Sequence, residues 1–174
     1  YDRDALARTV NNAMKVKQKG QLITFGIKPT SPEVGYGYIH HTNNEDVLKK
    51  IILFKEKPDL ETARKYLSTN EFYWNSGINI FNSKFIIQEF SSLWKESNKV
   101  NLEFIQRDKF IEINKKEFQK LPNISIDYAI LEKSSNTYTS EFLGKWSDVG
   151  SWHSLKELNL ESTENDNAIL GEKI

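Results

Sequence analysis

Short apolar runs of strand length alternate along this chain with stretches whose apolar residues recur at helical spacing, and that alternation restricts the fold more than any other feature. Residues 21–27 (QLITFGI) read as a buried strand that Pro29 cuts off, and residues 38–41 and 49–55 (KKIILFK) read as two more. Pro29, Pro32, Gly35 and Gly37 mark the loop between the first two. A helix fits residues 2–19, where Leu6, Val10 and Ala13 share one face and Gly20 can end it. Pro58 and Asp59 open a second helix, with Leu60, Ala63, Tyr66 and Leu67 on one side. Residues 84–97 carry Phe85, Ile86, Phe90, Leu93 and Trp94 at helical spacing, and a further helix is expected over about 101–120. The segment 72–82 (FYWNSGINIFN) reads as strand, tight bend and strand. Ser125 can cap a short helix through Glu132, residues 136–143 are strand-like, and 151–158 reads as a short helix. Alternating strands and helices give an α/β fold class. The polar stretch 160–168 reads as loop or linker.

Composition removes several classes of function. The 24 basic and 24 acidic side chains cancel, so no broad positive field is available for a nucleic-acid backbone. Apolar runs such as Ile51–Phe54 fall far short of the roughly 20 residues a membrane helix needs, so no membrane span is expected. The chain has no cysteine, which excludes disulfides, thiolate metal sites and a cysteine nucleophile, and is compatible with a reducing cytoplasm. The three histidines lack metal-ligand spacing. His40 and His41 are adjacent on a strand and so face opposite ways, and His153 stands alone. All three read as structural or solvent-facing.

Four segments could carry chemistry. Lys55-Glu56-Lys57-Pro58 falls where a strand ends and a helix begins, the end of an open α/β sheet at which ligands bind. Pro58 pushes Lys57 out of the helical region, and a lysine there suits a phosphate while a glutamate beside it suits sugar hydroxyls. The plainer reading is a solvated turn. Gly35-Tyr36-Gly37-Tyr38 lets backbone approach a ligand closely, or is only a turn relaxed by glycine, and it lacks the spacing of a phosphate-cradling loop. In Trp74-Asn75-Ser76-Gly77 the Asn75 amide offers both a donor and an acceptor to a sugar hydroxyl, and the plainer reading is a hairpin turn. In Trp146-Ser147-Asp148-Val149-Gly150-Ser151 the Asp148 carboxylate can hold Mg²⁺, or it can cap the following helix.

Taken in order, LITFGIKPTSPEVGYGYI, FKEKPD with ARKYL following, FYWNSGINIF, SIDYAILEK and WSDVGSW form a series. That series resembles the bacterial-type mannose-1-phosphate guanylyltransferases, a kind often fused to a phosphomannose isomerase. The similarity runs from about residue 2 to residue 174 and is looser over 84–120. At Ile78–Ile80 the chain departs from the more usual Met-Phe pairing, which touches local packing.

The resemblance implies part of a Rossmann-like nucleotide-diphospho-sugar transferase domain, with a mixed central sheet flanked by helices. Residues 1–160 would be its C-terminal, sugar-phosphate-binding part, and 161–174 a linker towards a further C-terminal domain. The family's glycine-rich nucleotide-gripping loop has no counterpart in the chain. The implied activity joins GTP and mannose 1-phosphate into GDP-mannose and pyrophosphate with the help of Mg²⁺, in the cytoplasm, with a homo-oligomer left open. By the same resemblance Lys57 holds the sugar's phosphate and Glu56 binds sugar hydroxyls. Tyr36, Gly37 and Asn75 line the sugar pocket, and Gly35 and Ser76 shape it. Asp148 is one of two aspartates on the metal. Asp127 lies in a family motif, as a ligand contact or a helix cap. Two other readings stay open: a sugar-nucleotide-binding regulator that keeps the pocket without the chemistry, and a pyrophosphorylase for another sugar or nucleotide.

Overall fold

A computed structural model of the chain describes residues 3–16, 20–93, 102–150, 161–162 and 168–169. Its centre is a sheet of five strands: β1 (Leu22–Ile27), β2 (Tyr38–His41), β3 (Lys49–Lys55), β4 (Phe72–Ile80) and β7 (Thr137–Glu141), in the order β1-β4-β2-β3-β7. The ladder closes on itself, because β7 pairs β1 in parallel and β3 antiparallel. The α/β class and the mixed sheet flanked by helices are therefore as read. The Rossmann-like description fits loosely, since every other strand pair is antiparallel.

Alternation along the strands decides which layer each side chain joins. Ile23, Phe25, Tyr38, Phe72 and Trp74 form one apolar cluster with Ala5 and Ala13 of α1 (Arg3–Val16) and Ala63 of α2 (Leu60–Thr69). Leu22, Ile39, Ile51 and Tyr73 form the other, with Ile86 of α3 (Ser83–Leu93) and Ala129, Ile130 and Leu131 of a π-helical turn, Asp127–Leu131. Helices thus cover both faces. Asp59 caps α2 by accepting from the Thr62 N–H at 2.8 Å, just after Pro58, as the sequence leads one to expect. Leu60, expected on the buried face, is 45% exposed. It is the first residue after the cap. His41 is buried against the Tyr73 ring, and His40 stacks on Phe72 and lies 3.4 Å from Glu71, so both are structural.

Two expectations need correction. Residues 101–120 are not one helix. Phe104–Arg107 (β5) and Phe110–Ile113 (β6) form an antiparallel hairpin, followed by the short α4 (Lys115–Phe118). Asp108 makes the turn with φ 39, a left-handed conformation that aspartate tolerates. The apolar residues there lie on a largely exposed ribbon, so their spacing does not report a buried helical stripe. Nor is 72–82 a strand, bend and strand, because β4 runs unbroken through Asn75-Ser76-Gly77. The expected bend survives as a bulge: Thr24 pairs with Asn79 and Gly26 with Asn75, so two steps on β1 face four on β4. Gly77 takes φ 73 inside this bulge with open space around it, so it is there for conformation and not for clearance. The expected end of α3 beyond Leu93, the 151–158 helix and His153 lie outside the described residues. Within the polar tail, Glu161–Ser162 (β8) pairs with Ala168–Ile169 (β9).

At the other end of the bulge, a Cβ on Gly26 would lie 2.6 Å from Tyr73 Cβ, inside van der Waals contact. Gly26→Ala is expected to destabilise the chain by about 1–3 kcal/mol, the usual range for overpacking. Urea unfolding measures this, and an unchanged midpoint would contradict the packing described.

Candidate functional site

Strand register brings three of the selected residues to one rung. Tyr38 of β2 pairs with Lys55 on one side and Trp74 on the other. One residue outward, Gly37 therefore lies between Glu56 and Asn75, and the Asn75 N–H donates to the Gly37 carbonyl at 2.7 Å. A Cβ at position 37 would fall 2.6 Å from Glu56 Oε2, 3.0 Å from Phe54 and 3.3 Å from Asn75 Cβ. Residue 37 must be glycine for the Glu56 carboxylate to occupy this place. Gly35 carries no such constraint, since a Cβ there would meet open space.

Glu56 is the electrostatic centre of the rung. Its side chain is only 12% exposed, and its Oε2 is buried without a hydrogen-bond partner. Burial raises its pKa above the ordinary glutamate value. The nearby Asp127 and Glu132 carboxylates add to the rise, and Lys57 opposes it. Lys57 Nζ lies 3.8 Å from Glu56 Oε1 and is 62% exposed, so the pair is loose and the ammonium is largely in water. Lys57 leaves the right-handed helical region before Pro58 as expected, but it enters the left-handed region at φ 45 rather than extended backbone. Such a conformation costs a non-glycine residue about 1–2 kcal/mol. Here the hydrogen bond from the Lys57 N–H to the Tyr36 carbonyl, at 3.2 Å, holds it. Strain of this kind concentrates at functional sites.

Asn75 links the rung to its surroundings. Its Oδ1 accepts from the Thr24 hydroxyl at 2.8 Å and its Nδ2 donates to Asp127 Oδ1 at 3.1 Å. Asp127 is thus a partner of Asn75 and not a helix cap. The residue at the cap is Ile126, and Ser125 just before it accepts from the Tyr128 N–H at 3.4 Å. Ser76 accepts from the Ile78 N–H at 3.2 Å and so shapes the bulge. Tyr36 stands edge-on to Trp74 at 5.2 Å and to Trp146 at 5.5 Å.

Asp148 is exposed and makes no hydrogen bond or ion pair with Glu56, Lys57, Asn75 or Asp127, while Trp146, two residues earlier, stands against Tyr36. Val149, which follows it, takes φ 50, an outlier for a β-branched residue. The helix that Asp148 or Ser151 was expected to cap lies outside the described residues. Among the described residues no three His, Asp or Glu side chains cluster as a metal cage. Mg²⁺ takes only one or two carboxylates beside phosphate oxygens, and the exposed Asp148 carboxylate suits one such position.

Thr24, Glu132 and Trp146 join the site without having been singled out individually. Glu132 Oε1 accepts from the Glu56 N–H at 3.4 Å. Thr24 carries the one faint signal in the sequence, a hydroxyl between Ile23 and Phe25 in an otherwise apolar strand. A cavity of about 480 Å³ opens elsewhere, among Arg8, Asn12, Asp46, Lys49 and Glu141, and touches none of the rung residues. The rung is the stronger site because it contains a buried carboxylate oxygen with no donor, and buried polar atoms rarely go unpaired.

The raised pKa of Glu56 makes a stability prediction. The folded chain binds this proton more tightly than the unfolded chain, so stability is greatest below the unfolded glutamate pKa and falls as pH rises through the raised folded value. Glu56→Gln, which cannot ionise, should melt above the wild type at pH 7, with the gap closing as the pH drops into the carboxylate range. A constant gap, or a less stable variant at pH 7, would contradict the assignment.

Comparison with known proteins now fixes the family. The chain matches the nucleotidyl transferase family over residues 1–165. It is 36% identical over 187 residues to a mannose-1-phosphate guanylyltransferase of Salmonella montevideo, covering 98% of this chain and 38% of that protein. A xanthan biosynthesis protein XanB of Xanthomonas campestris is 38% identical over 162 residues, covering 91% of this chain and 34% of the relative. The chain thus spans little more than a third of these relatives' length. Among solved structures, a protein described as a mannose-1-phosphate geranyltransferase from Thermus thermophilus superposes with a TM-score of 0.74 at 25% identity, over 90% of this chain and 45% of that one. A mannose-6-phosphate isomerase from Helicobacter pylori gives 0.72 at 29%, over 83% and 58%. With the family matched over nearly all of its residues, the chain belongs to the nucleotidyl transferases.

Proposed function

We propose that this chain is the sugar-phosphate-binding part of a mannose-1-phosphate guanylyltransferase, which joins GTP and mannose 1-phosphate into GDP-mannose and pyrophosphate. Residues 1–160 carry the site and 161–174 lead towards a further domain. The observation that carries the reading is Glu56, whose buried, unpaired carboxylate oxygen lies on one rung with Asn75 and beside the exposed ammonium of Lys57. That set matches a hexose phosphate. Hydroxyls donate to Glu56, Asn75 supplies an amide, Gly37 leaves room beside the backbone, and Lys57 meets the phosphate.

The chemistry needs little more from the chain. A sugar phosphate is already largely dianionic at neutral pH, since the second pKa of a phosphate monoester is about 6. Its oxygen attacks the α-phosphorus of GTP in line and pyrophosphate departs, so no side-chain base is needed. The barrier lies in like-charge repulsion and orientation. Glu56 and Asn75 orient the sugar, and Lys57 offsets the charge of the attacking phosphate. Asp148 would be one ligand of a bound Mg²⁺, which would supply charge neutralisation on the triphosphate.

In the full-length protein, Lys57→Ala should lower kcat/KM for mannose 1-phosphate by the equivalent of about 2–4 kcal/mol while leaving the KM for GTP unchanged. Asp148→Ala should abolish most turnover with an unaltered circular dichroism spectrum. Steady-state kinetics decide both. Unchanged constants for mannose 1-phosphate in the lysine variant remove its role, and full activity in the aspartate variant removes the metal role. A screen of nucleoside triphosphates and sugar phosphates tests the GTP and mannose preference.

A further inference from the structure

The carboxamide of Asn75 is held at both ends. Its Oδ1 accepts from the Thr24 hydroxyl at 2.8 Å and from the Gly77 N–H at 3.3 Å, and its Nδ2 donates to Asp127 Oδ1 at 3.1 Å. These partners permit one orientation. A backbone N–H can only donate and a carboxylate oxygen accepts, so the amide oxygen must face Gly77 and Thr24, and the nitrogen must face the π-helical turn. An amide can make four such bonds, and three are used within the protein. The one left over is an Nδ2–H, a donor.

Thr24 supplies the shortest of the three bonds. Its side chain is wholly buried in an apolar strand, and its other neighbour of suitable chemistry, the Ile78 carbonyl, lies at 3.4 Å. The bulge between β1 and β4 makes this contact, because it lets β4 run four residues against two and swings Asn75 over Thr24. We infer that Thr24 is a positioning residue for the sugar phosphate: buried behind Asn75, it fixes the amide so that the remaining Nδ2–H is offered to a sugar hydroxyl. This rests on the reading that Asn75 meets the sugar. Thr24 itself touches no ligand, and its hydroxyl acts only by holding in place an amide whose orientation the Gly77 N–H and the Asp127 carboxylate already set.

The test is steady-state kinetics of the full-length protein with mannose 1-phosphate and GTP each varied in turn. Thr24→Val keeps the shape and removes the donor. It should raise the KM for mannose 1-phosphate about tenfold, the worth of one hydrogen bond, and leave kcat and the KM for GTP within about twofold. Thr24→Ser, which keeps the hydroxyl, should restore the wild-type KM. In an Asn75→Ala background, Thr24→Val should add nothing, since the group it holds is gone. The inference is overturned if Thr24→Val leaves the KM unchanged, if serine fails to rescue it, or if valine acts equally with and without Asn75. If Asn75→Ala itself leaves the KM for mannose 1-phosphate unchanged, the sugar-site reading fails first and takes this inference with it. Should Thr24→Val not fold, Thr24→Ala, which also removes the donor, is held to the same KM, serine-rescue and Asn75→Ala criteria.

Discussion

The Glu56 carboxylate can occupy its buried place only because the strand beside it has no side chain at position 37. That single clearance ties the sheet to the site. Gly37 lets the carboxylate lie against the backbone of β2, and the register of β2 with β3 and β4 then puts Glu56 and Asn75 on the same rung, with Lys57 beside it. The buried charge works against stability. Burial and two neighbouring carboxylates all favour its protonated form, and Lys57 is too exposed to compensate fully. Folded proteins keep such costs mainly where a ligand later supplies the missing partner.

The second dependence is the irregular pairing of β1 with β4. Regular strands would put residue 75 in simple alternation with its neighbours. The bulge instead gathers Gly77, Thr24 and Asp127 around the Asn75 amide, from three different parts of the chain. The amide is therefore set by the fold before any ligand arrives, which reduces the ordering that binding would otherwise require. Asp148 lacks this kind of support. Its one link to the rung among the described residues is the edge-on contact of Trp146, two residues earlier, with Tyr36.

Much of this was legible in the sequence where local chemistry is strong. The strands at 38–41 and 49–55, the Asp59 cap and the Ser125 turn follow from alternation, proline and capping residues. The grouping of Gly37, Glu56, Lys57 and Asn75 was legible as motifs, but their juxtaposition depends on register, which no local pattern contains. The hairpin at 104–113 was missed because Phe104, Ile105, Phe110 and Ile111 are mostly exposed, so their spacing carries no face to read. Thr24 was missed because a threonine within an apolar run is an ordinary strand residue, and only the β4 bulge gives its hydroxyl a purpose.

The most direct test of the central claim is a crystal structure of the full-length protein with mannose 1-phosphate. The account predicts the sugar on the rung of Gly37, Glu56 and Asn75, with a hydroxyl donating to Glu56 Oε2 and the phosphate next to Lys57. Sugar phosphate bound elsewhere, with that carboxylate oxygen still unpaired, would contradict it.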